Sequence, residues 1–135
     1  NSIPVKIFLN GDCHRNVSVY DSFKLVPFAL ISNAVKYSAD GRVRVNIFDR
    51  AGIIEVSVES VGPLIEPEEL GLIFNKRFRG KWAKKVALGS GVGLYLAKTV
   101  ADANGISIHA SSIKQNSSSK DKPLATNRFS FEISG

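Results

Sequence analysis

The sequence predicts an α/β sandwich, a mixed β-sheet with about three helices on one of its faces. Several short segments alternate strictly between apolar and polar residues, which is typical of half-buried strands. Two longer segments, at 23–34 and 94–101, instead space their apolar residues as a helix with one buried face does. The chain has 135 residues, of which 44% are apolar and 22% charged, as expected of one ordinary folded domain.

Two short strands are predicted ahead of the first helix. Residues 3–8 alternate as a strand, Gly11-Asp12 is a turn signal, and Val17 and Val19 indicate the second strand. We expect these segments to join the sheet.

The first helix has its apolar residues on one face between positions 23 and 34. Asp21 or Ser22 is expected to cap its start, because short polar side chains accept hydrogen bonds from free helical N–H groups. Pro27 fits only within the first turn, since a proline further along kinks a helix. Asp40-Gly41 marks the turn that follows.

A hairpin comes next. Residues 42–47 and 54–58 alternate on either side of Ala51-Gly52, and Gly62-Pro63 is expected to end the second strand. Pro67-Glu68-Glu69 predicts the start of a third, short helix, because proline and carboxylates suit the first helical turn.

The second half of the chain contains a basic loop, a helix and a second hairpin. Residues 75–88 show no periodicity, whereas 94–101 follow a helical pattern that Asn104-Gly105 closes. Alternation returns at 106–108 and at 129–133, which predicts the last two strands.

The net charge of +6 is concentrated in one place. A solvated loop and an anion-binding segment are both consistent with such a run. We expect no nucleic-acid partner, because the basic residues are not interleaved with aromatic side chains as a stacking platform requires. Six positive charges lie within ten residues, at Lys76, Arg77, Arg79, Lys81, Lys84 and Lys85.

The cysteine content and hydropathy favour a cytoplasmic domain. Cys13 is the only cysteine, so an internal disulfide and a cysteine-based zinc site are excluded. No apolar run approaches the ~20 residues of a membrane helix, and we expect no membrane contact by this domain. The start, Asn1-Ser2-Ile3-Pro4, is neither a signal peptide nor an initiator Met, so we expect residues 1–135 to be one domain excised from a longer chain.

The glycine-rich segment before the last predicted helix is a candidate phosphate site. Gly89, Gly91 and Gly93 alternate, which lets the backbone approach a ligand closely, and the helix start supplies free N–H groups. No Gly-Lys-Ser/Thr follows and no strand precedes it directly, so it is neither a Walker loop nor a dinucleotide fingerprint. A flexible loop that opens a helix is the alternative.

The end of the first helix is the second candidate. Asn33 and Lys36 are three residues apart and share a helix face. An amide oxygen can ligate Mg²⁺, the lysine can meet a phosphate, and Tyr37 can lie against a base. A polar helix end with no ligand is the alternative.

Four segments together resemble one family closely. Residues 30–38 match an N box, 60–65 a first glycine box, 73–80 a phenylalanine box and 89–94 a second glycine box. The chain thus resembles the catalytic ATP-binding domain (HATPase) of sensor histidine kinases, in the GHKL superfamily of gyrase, Hsp90, histidine kinases and MutL. The phenylalanine box favours the kinase branch.

The resemblance implies a GHKL (Bergerat-like) fold that holds ATP and Mg²⁺ under a mobile lid, in which Trp82 lies. Asn33 is implied as the metal ligand, Lys36 as a phosphate contact and Tyr37 as a neighbour of the adenine. The residues that it assigns to nucleotide binding are Asn33, Lys36, Tyr37, Ser60, Gly62, Arg77, Arg79, Gly89, Ser90, Gly91, Val92, Gly93 and Leu94.

Three positions depart from the family's pattern. Ser60 stands where the family usually has an adenine-binding Asp, and Leu64 replaces the second glycine of that box. Ala29, one turn before Asn33, replaces the Asn that the family often has there, or the general-base Glu of the gyrase and Hsp90 branch. The first glycine box is therefore degenerate.

The function that the resemblance implies is phosphotransfer in two-component signalling. The domain would supply the γ-phosphate of Mg·ATP to a histidine on the dimerisation domain of the same parent protein, which then serves a response regulator. The parent protein can be membrane-anchored. Neither His14 nor His109 lies in a phosphoacceptor helix, and we expect the isolated domain not to hydrolyse ATP. The alternative is a pseudo-kinase that binds ATP weakly or not at all and acts in protein interaction.

Overall fold

The structure, a computed structural model, describes residues 4–11, 21–116 and 118–134. The predicted strand at Val17 and Val19 lies outside these residues, as do Cys13 and His14. Within them, the strands and α-helices are β1 (Lys6–Asn10), α1 (Leu25–Tyr37), β2 (Arg42–Arg50), β3 (Ile53–Pro63), α2 (Gly93–Ala103), β4 (Ile108–Lys114) and β5 (Leu124–Ser134). Short 3₁₀ turns occur at Asp21–Lys24, Pro67–Glu69 and Ala83–Lys85.

The five strands form one mixed sheet in the order β1-β2-β3-β5-β4. β1 runs parallel to β2, and the other neighbours are antiparallel. The predicted hairpin is present, since β2 and β3 are joined by Ala51 and Gly52, both with positive φ. A two-residue connection with this geometry matches the twist of the two strands.

The second strand of the hairpin ends at Pro63, as the Gly62-Pro63 signal predicts, but both residues belong to the strand. β3 continues through both residues, which pair with Ala125 and Leu124 of β5. The carbonyl oxygen of Pro63 accepts a hydrogen bond from the side chain of Asn127, at 2.9 Å. This extension draws the first glycine box into the sheet beside β5.

The helices differ from the prediction at two points. α1 starts at Leu25 behind a 3₁₀ turn, and its N-cap is Lys24 with no side-chain bond, so neither Asp21 nor Ser22 caps it. The expected third helix is only the 3₁₀ turn at Pro67–Glu69. Gly71 lies two positions after the end of this turn, and glycine is a poor helix former. The α/β class nevertheless agrees with the prediction.

The core lies between the two α-helices and one face of the sheet. α1 and α2 contact each other, and the closely packed α2 contributes only the small residues Ala97 and Ala101 to the fully buried set. In the described residues, no helix is both long and apolar enough to span a bilayer. The core also includes Val26, Leu30 and Ala34 of α1 and Val43, Val45, Val58, Phe129 and Phe131 of the strands.

Candidate functional site

A cavity of about 450 Å³ opens between α1, the sheet and the start of α2. Val58 and Ser60 of β3 form its floor together with Phe129 and Asn127 of β5. These residues are paired across the two strands, Val58 with Phe129 and Ser60 with Asn127. The floor therefore has an apolar half and a polar half, and the volume is in the range of small-molecule sites.

The cavity brings most of the predicted site residues together. Four predicted residues do not line it, namely Gly62, Arg77, Gly89 and Val92. The structural roles of Gly62, Arg77 and Gly89 are described below. Nine of the predicted residues lie in the wall: Asn33, Lys36, Tyr37, Ser60, Arg79, Ser90, Gly91, Gly93 and Leu94.

Gly62 and Gly89 allow close packing behind the cavity wall. A Cβ on Gly62 would lie 2.8 Å from the carbonyl oxygen of Tyr37, so only glycine lets the end of α1 approach β3 this closely. A Cβ on Gly89 would overlap the Lys36 ammonium group. Both glycines therefore shape the wall without forming its surface.

The lid segment, residues 75–88, is closed by a contact between Arg77, near its start, and Gly91, three positions beyond its end. The Arg77 N–H donates to the Gly91 carbonyl oxygen at 2.7 Å, and both residues have positive φ, 68° and 73°. A Cβ on Gly91 would lie 2.6 Å from the carbonyl carbon of Arg77. Arg77 thus acts here through its backbone, rather than through the charge that made it a predicted site residue.

Arg79 and Lys36 give the cavity its positive charge. The Arg79 guanidinium donates to the Tyr37 hydroxyl at 2.9 Å and to the Ala87 carbonyl oxygen. The Lys36 ammonium group lies 5.3 Å from the centre of the Tyr37 ring. Among the described residues, no Asp or Glu lines the cavity, so its charge is that of a site for an anion.

Two glutamates that the sequence analysis did not select hold the lid segment. The buried Glu69 carboxylate accepts hydrogen bonds from the Glu66 N–H at 3.0 Å and from the Lys81 N–H at 2.8 Å. Glu66 in turn accepts from the Trp82 indole N–H at 2.8 Å. Trp82 therefore packs against the domain. The Glu66-x-x-Glu69 spacing of a capping box was the available signal.

Comparison with protein families identifies the family of this chain. A family model described as histidine kinase-, DNA gyrase B-, and HSP90-like ATPase matches residues 19–133. The chain belongs to this family. The predicted family is thus confirmed.

Among the branches of this ATPase family, the chain is of the sensor histidine kinase type. It is 27% identical over 104 residues to sensor histidine kinase GraS of Staphylococcus haemolyticus, with 75% of this chain and 30% of GraS covered. It is 40% identical over 100 residues to sensor-like histidine kinase SenX3 of Mycobacterium bovis, with 70% of this chain and 24% of SenX3 covered. The chain thus spans less than a third of these two relatives.

The fold of this histidine-kinase-type domain also occurs in a solved structure. The mycobacterial sensor histidine kinase MprB matches with a TM-score of 0.69 and 23% identity, over 98% of this chain and 81% of that chain. This likeness confirms the predicted fold class.

Asn127 is a polar site residue of the histidine-kinase-type domain that the sequence analysis missed. Its amide nitrogen donates to the Pro63 carbonyl oxygen, and its amide oxygen accepts from the Ser112 hydroxyl. Ser112 itself accepts from the Ile65 N–H at 3.0 Å. Asn127 thereby holds the degenerate first glycine box in place. Its inward position in the alternation of β5, two residues before Phe129, was the signal for it.

A metal ion in this histidine-kinase-type domain would depend on Asn33 and the nucleotide. In residues 4–11, 21–116 and 118–134, no three His, Cys, Asp or Glu side chains are grouped as a metal site. Asn33 lines the cavity, and its amide makes no hydrogen bond within the described chain. Mg²⁺ often takes one or two protein oxygens plus phosphates and water, so the residues present fit such an ion.

Proposed function

We propose that the chain is the ATP-binding catalytic domain of a sensor histidine kinase. It holds Mg·ATP and supplies the γ-phosphate to a histidine on a separate domain of its parent protein. The observation that carries this proposal is the cavity between α1 and the glycine-rich start of α2, which Lys36 and Arg79 line without any carboxylate in the described residues.

The triphosphate would lie at the start of α2. The first turn of this helix has free N–H groups and the positive end of the helix dipole, and Ser90 and Gly91 line the cavity just before it. Lys36 and Arg79 would offset the phosphate charge. The base would lie over the floor formed by Val58 and Phe129, with the polar half of the floor at its edge.

Mg²⁺, when bound, would supply positive charge that offsets the negative charge developing on the phosphates during transfer. Asn33 would contribute the protein oxygen to this ion and thereby orient the terminal phosphate.

The phosphoacceptor would be supplied by another domain. His109 lies exposed on β4 and is not in a helix, and His14 lies outside the described residues. We therefore propose the dimerisation domain of the same parent protein as the immediate partner, and a response regulator as the protein that takes the phosphoryl group next.

Replacement of Asn33 by alanine tests the nucleotide and metal roles together. We expect Asn33→Ala to weaken Mg·ATP binding about 10–150-fold, since a lost bond to a charged group costs about 1.5–3 kcal/mol. In EDTA the loss should be small, because no metal remains to be bound. Isothermal titration calorimetry in both conditions measures the difference, with Ser32→Ala, a neighbour that also lines the cavity, as the control.

An equal loss with and without Mg²⁺ would mean that Asn33 acts only through the fold. Absence of any ATP binding by the unaltered domain would instead favour a pseudo-kinase, the second candidate. The observations in its favour are Ala29 in the cavity wall, where no metal ligand or base is possible, and the replacement of two family residues by Ser60 and Leu64.

The isolated domain should bind ATP without turning it over. Hydrolysis needs a group that orients or deprotonates water near the γ-phosphate. The cavity wall contains no carboxylate within the described residues, and Ala29 occupies the position one turn before Asn33. A steady-state phosphate-release assay should give no rate above that of Asn33→Ala. Multiple turnover that disappears in Asn33→Ala would support an ATPase instead.

A further inference from the structure

The polar half of the cavity floor is formed by one hydroxyl and one amide. Ser60 on β3 and Asn127 on β5 are paired across the strands, and both line the cavity. No carboxylate does so among the described residues. A planar base over Val58 and Phe129 would therefore present its polar edge to these two side chains.

The Ser60 hydroxyl is free to bind a ligand either as a hydrogen-bond donor or as an acceptor. Its side chain makes no hydrogen bond to any residue in the described part of the chain. A hydroxyl both donates and accepts, and its hydrogen rotates to suit the partner. Ser60 can thus accept from an amino group or donate to a carbonyl group with the same side chain.

The Asn127 amide is fixed in orientation by two hydrogen bonds, to Pro63 and from Ser112. The Pro63 carbonyl oxygen requires a donor, which places the amide nitrogen there at 2.9 Å. The Ser112 hydroxyl accepts from the Ile65 N–H, so its own hydrogen is directed to the amide oxygen. One N–H of the amide nitrogen remains uncommitted by these bonds, and it is a donor.

Adenine and 6-oxopurines differ at the group that such a floor would meet. Adenine carries a 6-amino donor, and hypoxanthine carries a 6-carbonyl acceptor. A site rejects one of them strongly only when the wrong base leaves a buried group unpaired or faces a group of like character. A carboxylate only accepts hydrogen bonds, so it would face the 6-carbonyl group of hypoxanthine with a group of like character and reject that base. Ser60 and the free N–H of Asn127 can both donate to the carbonyl group, so they would not reject it.

We infer that the cavity does not select for adenine, but takes 6-oxo and 6-amino purine nucleoside triphosphates with similar affinity, and that Ser60 is the residue that sets this breadth. The inference rests on the proposed function, since it concerns the base of the nucleotide bound there. The side chain at position 60 is then a determinant of base specificity.

Calorimetric titration with Mg·ATP and Mg·ITP tests the inference directly. Inosine differs from adenosine only at position 6 and in the proton on N1, so the pair isolates this part of the base. We expect the two dissociation constants of the unaltered domain to agree within about fivefold. In Ser60→Asp, the ratio of ITP to ATP dissociation constants should rise at least about 20-fold, which is the discrimination expected when a carboxylate faces a carbonyl.

Two further variants serve as controls. Ser60→Ala should leave the ratio near one, because it adds no acceptor. Ser111→Asp adds the same charge on β4 at a residue that does not line the cavity, and should leave both affinities unchanged.

Each outcome decides a separate point. ATP binding with ITP binding more than about fivefold weaker in the unaltered domain would overturn this inference alone and leave the proposed function standing. Absence of binding by both nucleotides would overturn the proposed function and the inference with it. The comparison in the unaltered domain is decisive even if Ser60→Asp fails to fold.

Discussion

Replacement of Gly91 by valine is expected to abolish ATP binding, with a loss of more than about 100-fold, or about 3 kcal/mol. Gly91 has a φ of 73°, which β-branched residues strongly disfavour. A Cβ there would also lie within 2.6–2.8 Å of three backbone atoms of Arg77, which cannot move aside as a side chain can. The hydrogen bond from the Arg77 N–H to residue 91, which closes the lid segment beside the cavity, would break.

Calorimetry measures the loss, and amide hydrogen exchange should locate it. In Gly91→Val, exchange at Arg77 should become faster, because its N–H no longer donates to residue 91. Gly71→Ala is the matched control, since a Cβ there meets nothing within 4 Å. Unchanged ATP affinity in Gly91→Val would contradict a role for this closure in nucleotide binding.

Replacement of Phe129 by alanine should strongly lower the free energy of unfolding and should also weaken ATP binding. Phe129 is 4% exposed, and its ring packs edge-on against Phe74 of the phenylalanine box, with the centroids 6.2 Å apart. Removal of a buried phenylalanine side chain typically costs about 3–5 kcal/mol of the free energy of unfolding. A domain of this size has only about 5–15 kcal/mol in total, so Phe129→Ala should remain folded only marginally.

Phe131→Ala is a close internal control. Phe131 lies two residues further along β5, is 2% exposed and packs against Phe23, but it does not line the cavity. Chemical denaturation should give similar losses for both variants. Only Phe129→Ala should weaken ATP binding after correction for the folded fraction, because only Phe129 forms part of the floor. Equal weakening in both would contradict the assignment of this floor to the base.

Features that depend on local periodicity could be predicted from the sequence. The alternation of β2 and the helical face that contains Val26, Leu30 and Ala34 are set by residues close in the chain, and the structure has both. The C-terminal end of α2 at Asn104, followed by Gly105 with a φ of 70°, was also predictable, because a helix end has a local signature.

Features that depend on distant partners could not be predicted in this way. Pro63 stays in a strand because β5 lies beside it, and Asn127, 64 positions later, bonds its carbonyl oxygen. Arg79 reaches Tyr37 across 42 positions. The alternation of β5 indicates only that Asn127 faces inward. Its position in the cavity floor follows from the pairing of β3 with β5, which nothing near it in the sequence indicates.

For the same reason, some residues of the candidate site could be predicted from the sequence and others could not. Asn33, Lys36 and Tyr37 share one helix end, so their grouping follows from helix geometry. Arg77 was selected for its charge, yet in the structure its backbone N–H bonds Gly91 and its φ is positive, which its neighbours in the sequence do not indicate.

The single tryptophan of the chain makes the lid segment visible to spectroscopy. The Trp82 indole ring has the ammonium groups of Lys81 and Lys85 4.6 and 4.7 Å from its centre, and its N–H is bound to the Glu66 carboxylate. Indole emission responds to nearby charge and to water. Because no second tryptophan contributes, intrinsic fluorescence reports on this one anchoring point, and any movement of the lid segment can be followed in time without an attached dye.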